Sequence, residues 1–235
     1  MIARGFAGAG ARVYISARKA RAAEEAAREI GEVGQCVAVP ADLSTPEGVR
    51  ALVDAVTDAE PALHVLVNNA GATWGAPLEE YPDSAFDKVF AINVKAIFNL
   101  TTGLLPALRR GAAPGDPARV INIGSVDGVS VPGAESYAYS SSKAAVHMLT
   151  RHLAHRLARE QITVNVIAPG PFESKMMAFA LDDAKVRAGI ERSVPLGRIG
   201  RPDDMAGTAI FLASRAGSYL TGAVIPVDGG LSTHG

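Results

Sequence analysis

The sequence is nearly without cysteine: Cys36 is the only thiol in 235 residues. An internal disulfide is therefore excluded, and a reducing cytoplasm is the expected compartment. Charge of one sign is also missing. With 23 Lys and Arg against 24 Asp and Glu, the formal net charge is −1, which gives no field to draw in nucleic acid or an anionic membrane. No uninterrupted apolar run reaches the ~20 residues of a membrane span, so no membrane partner is expected. Arg12 breaks the apolar N-terminal stretch MIARGFAGAGARVYISA, which argues against a targeting peptide. Repeats, low-complexity tracts and linkers are absent too, as expected of one domain.

What is present is an alternation. Apolar residues make up 48% of the chain, enough for a continuous core. RVYISA (12–17), CVAVPA (36–41), LHVLVNN (63–69), RVINIGS (119–125), ITVNVIA (162–168) and AVIPVDGG (223–230) read as strands. Several are apolar almost throughout, as strands covered on both faces are. Helical patterns occupy roughly 19–31, 46–59, 83–110, 137–160 and 202–214. This order predicts βαβ units and a doubly wound, Rossmann-like parallel sheet, an α/β domain over 1–235. The stretch 171–200, rich in Pro, Gly and charge, reads as a substrate loop or lid. Cys36 reads as a small buried hydrophobe in a strand.

Such sheets bind ligands beyond the carboxyl ends of their strands. There stand NNAG (68–71), Ser125, PGPFES (169–174) and the start of a helix carrying SYAYSSSKAA (136–145). At 3.6 residues per turn, Lys143 lies one turn beyond Tyr139 on the same face, whereas Tyr137 lies well round the helix. An ammonium beside a phenol lowers its pKa from about 10, which suits it to give and take a proton near neutral pH. A hydroxyl such as Ser125 could then hold a carbonyl oxygen for protonation. Alone, Tyr-x-x-x-Lys arises often by chance from a packed tyrosine and a surface lysine. Ser125 could likewise be a turn hydroxyl, and Asn93 a satisfied core amide.

The elements do not stand alone. NNAG, Asn93 in INVKAIF, Ser125 in INIGS, Tyr139-x-x-x-Lys143 and Pro169-Gly170 follow in order, each at an expected strand end or helix. On these residues the chain resembles the short-chain dehydrogenase/reductase family over essentially all of 1–235. The stretches LVNNAGATWGAPLEEYP and ARVINIGSVDGVS are most similar to bacterial 3-oxoacyl (β-ketoacyl) reductases, including the rhamnolipid-pathway type. The resemblance implies that Tyr139 is the acid in ketone reduction, while Lys143 binds the nicotinamide ribose and lowers the tyrosine pKa. It further implies that Ser125 bonds the substrate oxygen and that Asn93 holds a relay water. Asn69, Ala70 and Gly71 would lie along the cofactor, Pro169, Gly170 and Ser174 near its nicotinamide, and Asp42 and Leu43 beside the adenine. Trp74 and Tyr137 would wall the substrate pocket.

Cofactor choice rests on ISARKA. Where NAD-binding relatives carry an acid, this chain has Arg18 followed by Lys19, and an arginine grips an extra phosphate through two bonds. The expected cofactor is NADP(H). His147, His152 and His155 share one predicted helix, but no carboxylate stands at a ligating spacing; they are expected at the surface or at a subunit contact, without metal. The resemblance also implies a homodimer or homotetramer.

The family's first strand and its glycine-rich phosphate loop have no counterpart in this sequence. That strand would lie between RVYISA and LHVLVNN, so its omission should leave a gap of about two strand spacings, near 10 Å, or force the sheet to re-pair. Either Met1 is internal to a longer parent, the reading favoured by the intact catalytic set, or the chain is a shortened product that binds cofactor poorly. Three functions follow: an NADPH-dependent reductase of a ketone or 3-oxoacyl thioester, an NAD-dependent secondary-alcohol dehydrogenase, and a non-catalytic subunit that pairs with intact homologues.

Overall fold

The computed structural model describes residues 1–174, 177 and 182–233. Its elements run α1 (Ile2–Gly8), β1 (Val13–Ile15), α2 (Ala20–Gly31), β2 (Cys36–Ala38), α3 (Pro46–Ala59), β3 (Val65–Asn68), α4 (Asp83–Phe90) and α5 (Ala96–Gly111). There follow β4 (Ala118–Ile123), α6 (Tyr137–Leu157), β5 (Ile162–Pro169), α7 (Ala184–Ser193), α8 (Pro202–Ala213) and β6 (Val224–Val227). All strand pairings are parallel, in register Asn68↔Asn122, Ile121↔Asn165 and Ile167↔Ile225 across the larger sheet.

That sheet is interrupted. Among the described residues β1 pairs only with β2, while β3, β4, β5 and β6 form a separate four-stranded sheet in that order. The gap expected between RVYISA and LHVLVNN is therefore present, and the strands have not re-paired across it. β4 and β5 are buried almost end to end, whereas β1 and β3 are mostly half-buried. One apolar cluster crosses the division, joining Ala41, Leu43, Val49 and Val56 to Leu100, Leu104, Val120 and Val164. Buried polar groups in the larger sheet are mostly paired: the Asn68 amide donates to Asn122 Oδ1 at 2.8 Å, and the Asn122 amide to Thr150 Oγ1 at 2.8 Å.

Local chemistry explains the helix starts. Thr45 Oγ1 accepts from Gly48 N–H and Pro46 opens α3 with a preset φ. Asp183 Oδ1 accepts from the amides of Lys185 and Val186 to start α7. Helix α7 lies inside the stretch expected to be irregular. Residues 175–176 and 178–181 of that stretch lie outside the described residues.

Between α4 and α5 the residues Ala91–Lys95 form a π turn, so the helical run Asp83–Gly111 is continuous over 29 residues, with a mean hydropathy of 1.3 in its most apolar part. Its length and composition would suffice for a membrane span, but Asp87, Lys88 and Lys95 interrupt its apolar residues, in keeping with the expectation from sequence. Its apolar face is instead taken up by the core, where Ile97, Leu100, Leu104 and Leu108 are buried.

Candidate active site

The C-terminal ends of the strands carry the candidate residues. β4 ends at Ile123, and Ser125 opens a short 3₁₀ turn (Val126–Gly128) by accepting from Asp127 N–H at 3.1 Å. That turn presses on α6: a Cβ on Gly128 would stand 2.7 Å from His147 Cε1 and 2.8 Å from the Lys143 carbonyl carbon. Ser125 is therefore held beside the helix bearing Tyr139 and Lys143. Lys143 is buried, donates to the Ile123 carbonyl at 2.7 Å, and lies 5.5 Å from the centre of the Tyr139 ring.

Burial sets the protonation of this group. It draws the Lys143 ammonium down from 10.5 to about 8, with the Asp127 carboxylate pulling the other way. Tyr139 is raised above its usual value, first by burial and also by Asp127, while the neighbouring Ser125 hydroxyl opposes the rise. The expectation that Lys143 lowers the tyrosine pKa is thus not met in this structure: burial outweighs the other influences on the phenol. The Asp127 carboxyl is itself raised by burial against the pull of Lys143. Neither Asp127 nor its proximity to Lys143 was read from the sequence; a charged residue two positions past Ser125 was the available signal.

Asn93 sits in the π turn and is fully buried. Its amide donates to the Ala72 carbonyl at 3.0 Å and to Ser142 Oγ at 2.9 Å, and its Oδ1 accepts from Ala72 N–H at 2.8 Å. Both amide protons are thereby engaged by protein groups. Ser142, missed in the sequence, donates in turn to the Tyr139 carbonyl at 2.7 Å.

The remaining candidates surround this group. Asn69, Ala70 and Gly71 are exposed beyond β3, and a Cβ on Gly71 would stand 3.3 Å from Asn93 Oδ1 and 3.8 Å from Lys143 Nζ. The absent side chain leaves the backbone open to close approach by a ligand. Pro169 ends β5, and Gly170 follows, packed so that a Cβ would meet Asp228 at 2.8 Å. Ser174 Oγ accepts from Met177 N–H at 3.3 Å. Trp74 is 39% exposed, with Lys88 Nζ 5.4 Å from the centre of its ring. Tyr137 bonds Glu135 through its hydroxyl.

Beyond β1, Arg18 and Lys19 border an open cleft of about 450 Å³ with Ala17 and Ala22. No acid lines it, so the charge there suits a phosphate. Asp42 spends its carboxylate on the amide and hydroxyl of Ser44, which holds its pKa down. The Leu43 side chain is buried in the core, which leaves its backbone to flank a ligand. Cationic groups at one end and a side-chain-free backbone beside Lys143 at the other fit the two ends of a phosphorylated dinucleotide.

His147 departs from expectation. Rather than lying at the surface, it is buried with its Nε2 unpartnered, and burial lowers its pKa to about 4. The cause is the close approach of another segment, since a Cβ on Gly124 would lie 2.4 Å from that Nε2. His152 and His155 are exposed, and Cys36 is half-buried in β2.

Comparison with known proteins follows the same lines. The family model described as Enoyl-(Acyl carrier protein) reductase matches residues 1–232. A rhamnolipids biosynthesis 3-oxoacyl-[acyl-carrier-protein] reductase of Pseudomonas aeruginosa is 51% identical over 230 residues, covering 98% of this chain and 90% of the relative. The solved NADP active-site complex of Pseudomonas aeruginosa RhlG superposes with a TM-score of 0.96 at 50% identity, over 98% of this chain and 90% of that one. A gluconate 5-dehydrogenase from Burkholderia cenocepacia, solved with NADP and tartrate, gives a TM-score of 0.89 at 32% identity, covering 100% and 90%.

Proposed function

The chain belongs to the short-chain dehydrogenase/reductase family, and from that premise we propose that it reduces a ketone, a 3-oxoacyl thioester above all, to the secondary alcohol with NADPH. The observation that carries this reading is Tyr139, half-buried beside Ser125, with the buried Lys143 ammonium 5.5 Å from the centre of its ring. A phenol holds its proton at neutral pH and so can serve as the acid of a reduction, with the Ser125 hydroxyl opposing the rise that burial causes. Support for the substrate comes from the 3-oxoacyl reductase at 51% identity, and for the cofactor from Arg18 and Lys19 and the NADP complex.

NADPH, when bound, supplies the hydride. Arg18 and Lys19 hold the adenosine phosphate, and the backbone of Asn69–Gly71 with Lys143 holds the nicotinamide end. Ser125 Oγ donates to the substrate carbonyl oxygen, and Tyr139 gives its phenolic proton to that same oxygen as negative charge gathers there. Lys143, poised at about 8, returns a proton to the phenolate. Trp74 walls the pocket and limits water. We also assign the chain to a homodimer or homotetramer; Phe98 on α5 and Met148 on α6, 47% and 60% exposed, are apolar surface for it.

NADPH consumption with a 3-oxoacyl thioester tests the reading. The wild-type chain should turn over, and Tyr139→Phe should lose ~100-fold or more of kcat while still binding NADPH. Absence of turnover in a folded chain that binds NADPH would refute it. The division between the two sheets favours a second reading, a chain that holds cofactor weakly and pairs with intact homologues. Failure of NADPH to bind the folded chain, with association into mixed oligomers, would select that reading.

A further inference from the structure

Helix α6 begins without a cap of its own. Ser136 stands at its N-cap position, but its side chain bonds no amide of the first turn, and the first amides of a helix have no partner within it. The acceptor comes from 57 residues away: Tyr81 Oη accepts from Ala138 N–H at 3.1 Å. The same hydroxyl donates to the Trp74 carbonyl at 3.1 Å. A phenol has one proton to give, so these two bonds fix its polarity. The ring is held as well, edge-on to Tyr137 at 5.1 Å and to Phe86 at 5.6 Å between centroids.

A second tie lies one turn further along. Asn93 grips Ala72 through both its N–H and its carbonyl, and donates to Ser142 on α6. Ala138 and Ser142 are four residues apart, on one face. Tyr139 and Lys143 each come one residue later. Two anchors a turn apart fix a helix in rotation about its axis, not in position alone, and rotation decides where the next side chain in each turn points. Both anchors grip the same segment, at Ala72 and Trp74.

We propose that Tyr81 is a positioning residue that couples the Trp74 loop to the first turn of α6 and so aims the Tyr139 phenol at the substrate oxygen. The catalytic part of this rests on the reductase reading; the mechanical link does not. Tyr81→Phe deletes the hydroxyl and keeps the ring contacts. Trp74 is the chain's only tryptophan, so its emission reports the loop directly. Without ligand, the variant should exchange amide protons about fivefold to tenfold faster at 137–141, the expected effect of a lost cap. It should also exchange faster at 74–76 and shift the Trp74 emission. In turnover, kcat should fall about tenfold with KM for NADPH unchanged, a misaimed proton donor rather than lost binding.

Adding Ser136→Asp to Tyr81→Phe supplies a local cap. It should restore slow exchange at 137–141 but not kcat. Recovery of kcat by Ser136→Asp, or faster exchange at 137–141 alone with kcat intact, would reduce Tyr81 to a plain cap and overturn the proposal. If the wild-type chain turned over no ketone, the reductase reading would fall. The joint response of 74–76, 137–141 and Trp74 would then decide the link by itself.

Discussion

Replacing Lys143 by Met isolates the electrostatic strain at the centre of the site. Burial lowers this ammonium from 10.5 to about 8. Below about pH 8 the folded and unfolded chains both hold the proton, and stability does not depend on pH through this group. Between about 8 and 10.5 the unfolded chain keeps a proton that the folded chain has released, so stability rises with pH. The full rise, at ~1.36 kcal/mol per pH unit, is about 3 kcal/mol, of which about 2 kcal/mol is gained between about pH 7 and pH 9.5. Lys143→Met also removes the bond to the Ile123 carbonyl, worth about 1 kcal/mol but independent of pH. The difference between the two pH profiles therefore contains the ionisation alone. Urea unfolding at both pH values, with equal m for both proteins, should show wild type gaining about 2 kcal/mol relative to the variant. Parallel profiles would refute the claim that Lys143 is buried at a cost in its charged form.

Two further outcomes are expected. His147, lowered from 6.5 to about 4, is neutral in both states above about pH 6.5; as pH falls towards 4 only the unfolded chain takes up the proton, and stability is lost. His147→Gln should flatten that acid limb by about 2 kcal/mol in denaturant titrations across the window. Arg18→Glu, which puts an acid at the cleft beyond β1, should weaken NADPH binding about tenfold or more while leaving NADH unaffected or improved, measured by cofactor fluorescence.

The parts legible in the sequence were those fixed by local chemistry or by burial on two faces. β4 and β5 read clearly because RVINI and ITVNVIA must be apolar on both sides. Ser125, Tyr139 and Lys143 were identifiable because the family resemblance singled out residues that a strand end and a helical spacing of four could bring to one edge. That a central strand is missing was implied by the family resemblance, but strand spacing left open whether the sheet would divide or re-pair. Helix α7 was not legible, since AKVRAGIERS buries none of its residues and shows no apolar face. His147 was misread because its burial depends on Gly124 and Gly128, whose missing side chains let another segment cover it. The direction of the Tyr139 pKa shift was misjudged by weighing one neighbouring charge without the desolvation of burial. Tyr81 could not be assigned, because its partners lie in a loop and in a helix far along the chain.

The interruption of the sheet has a mechanical consequence. A hydrogen-bonded ladder is directional and resists sliding, whereas apolar packing is non-directional and yields to small shear. Across the division the cluster of Leu43, Val49, Leu100 and Val120 supplies packing, and the strands supply no ladder. Arg18 rides on the two-stranded side and Lys143 on the side of the four-stranded sheet. A ligand held by both would act as a brace between two separately stitched bodies. Such a ligand would add a directional tie between β1 and β3, where the strands themselves supply none.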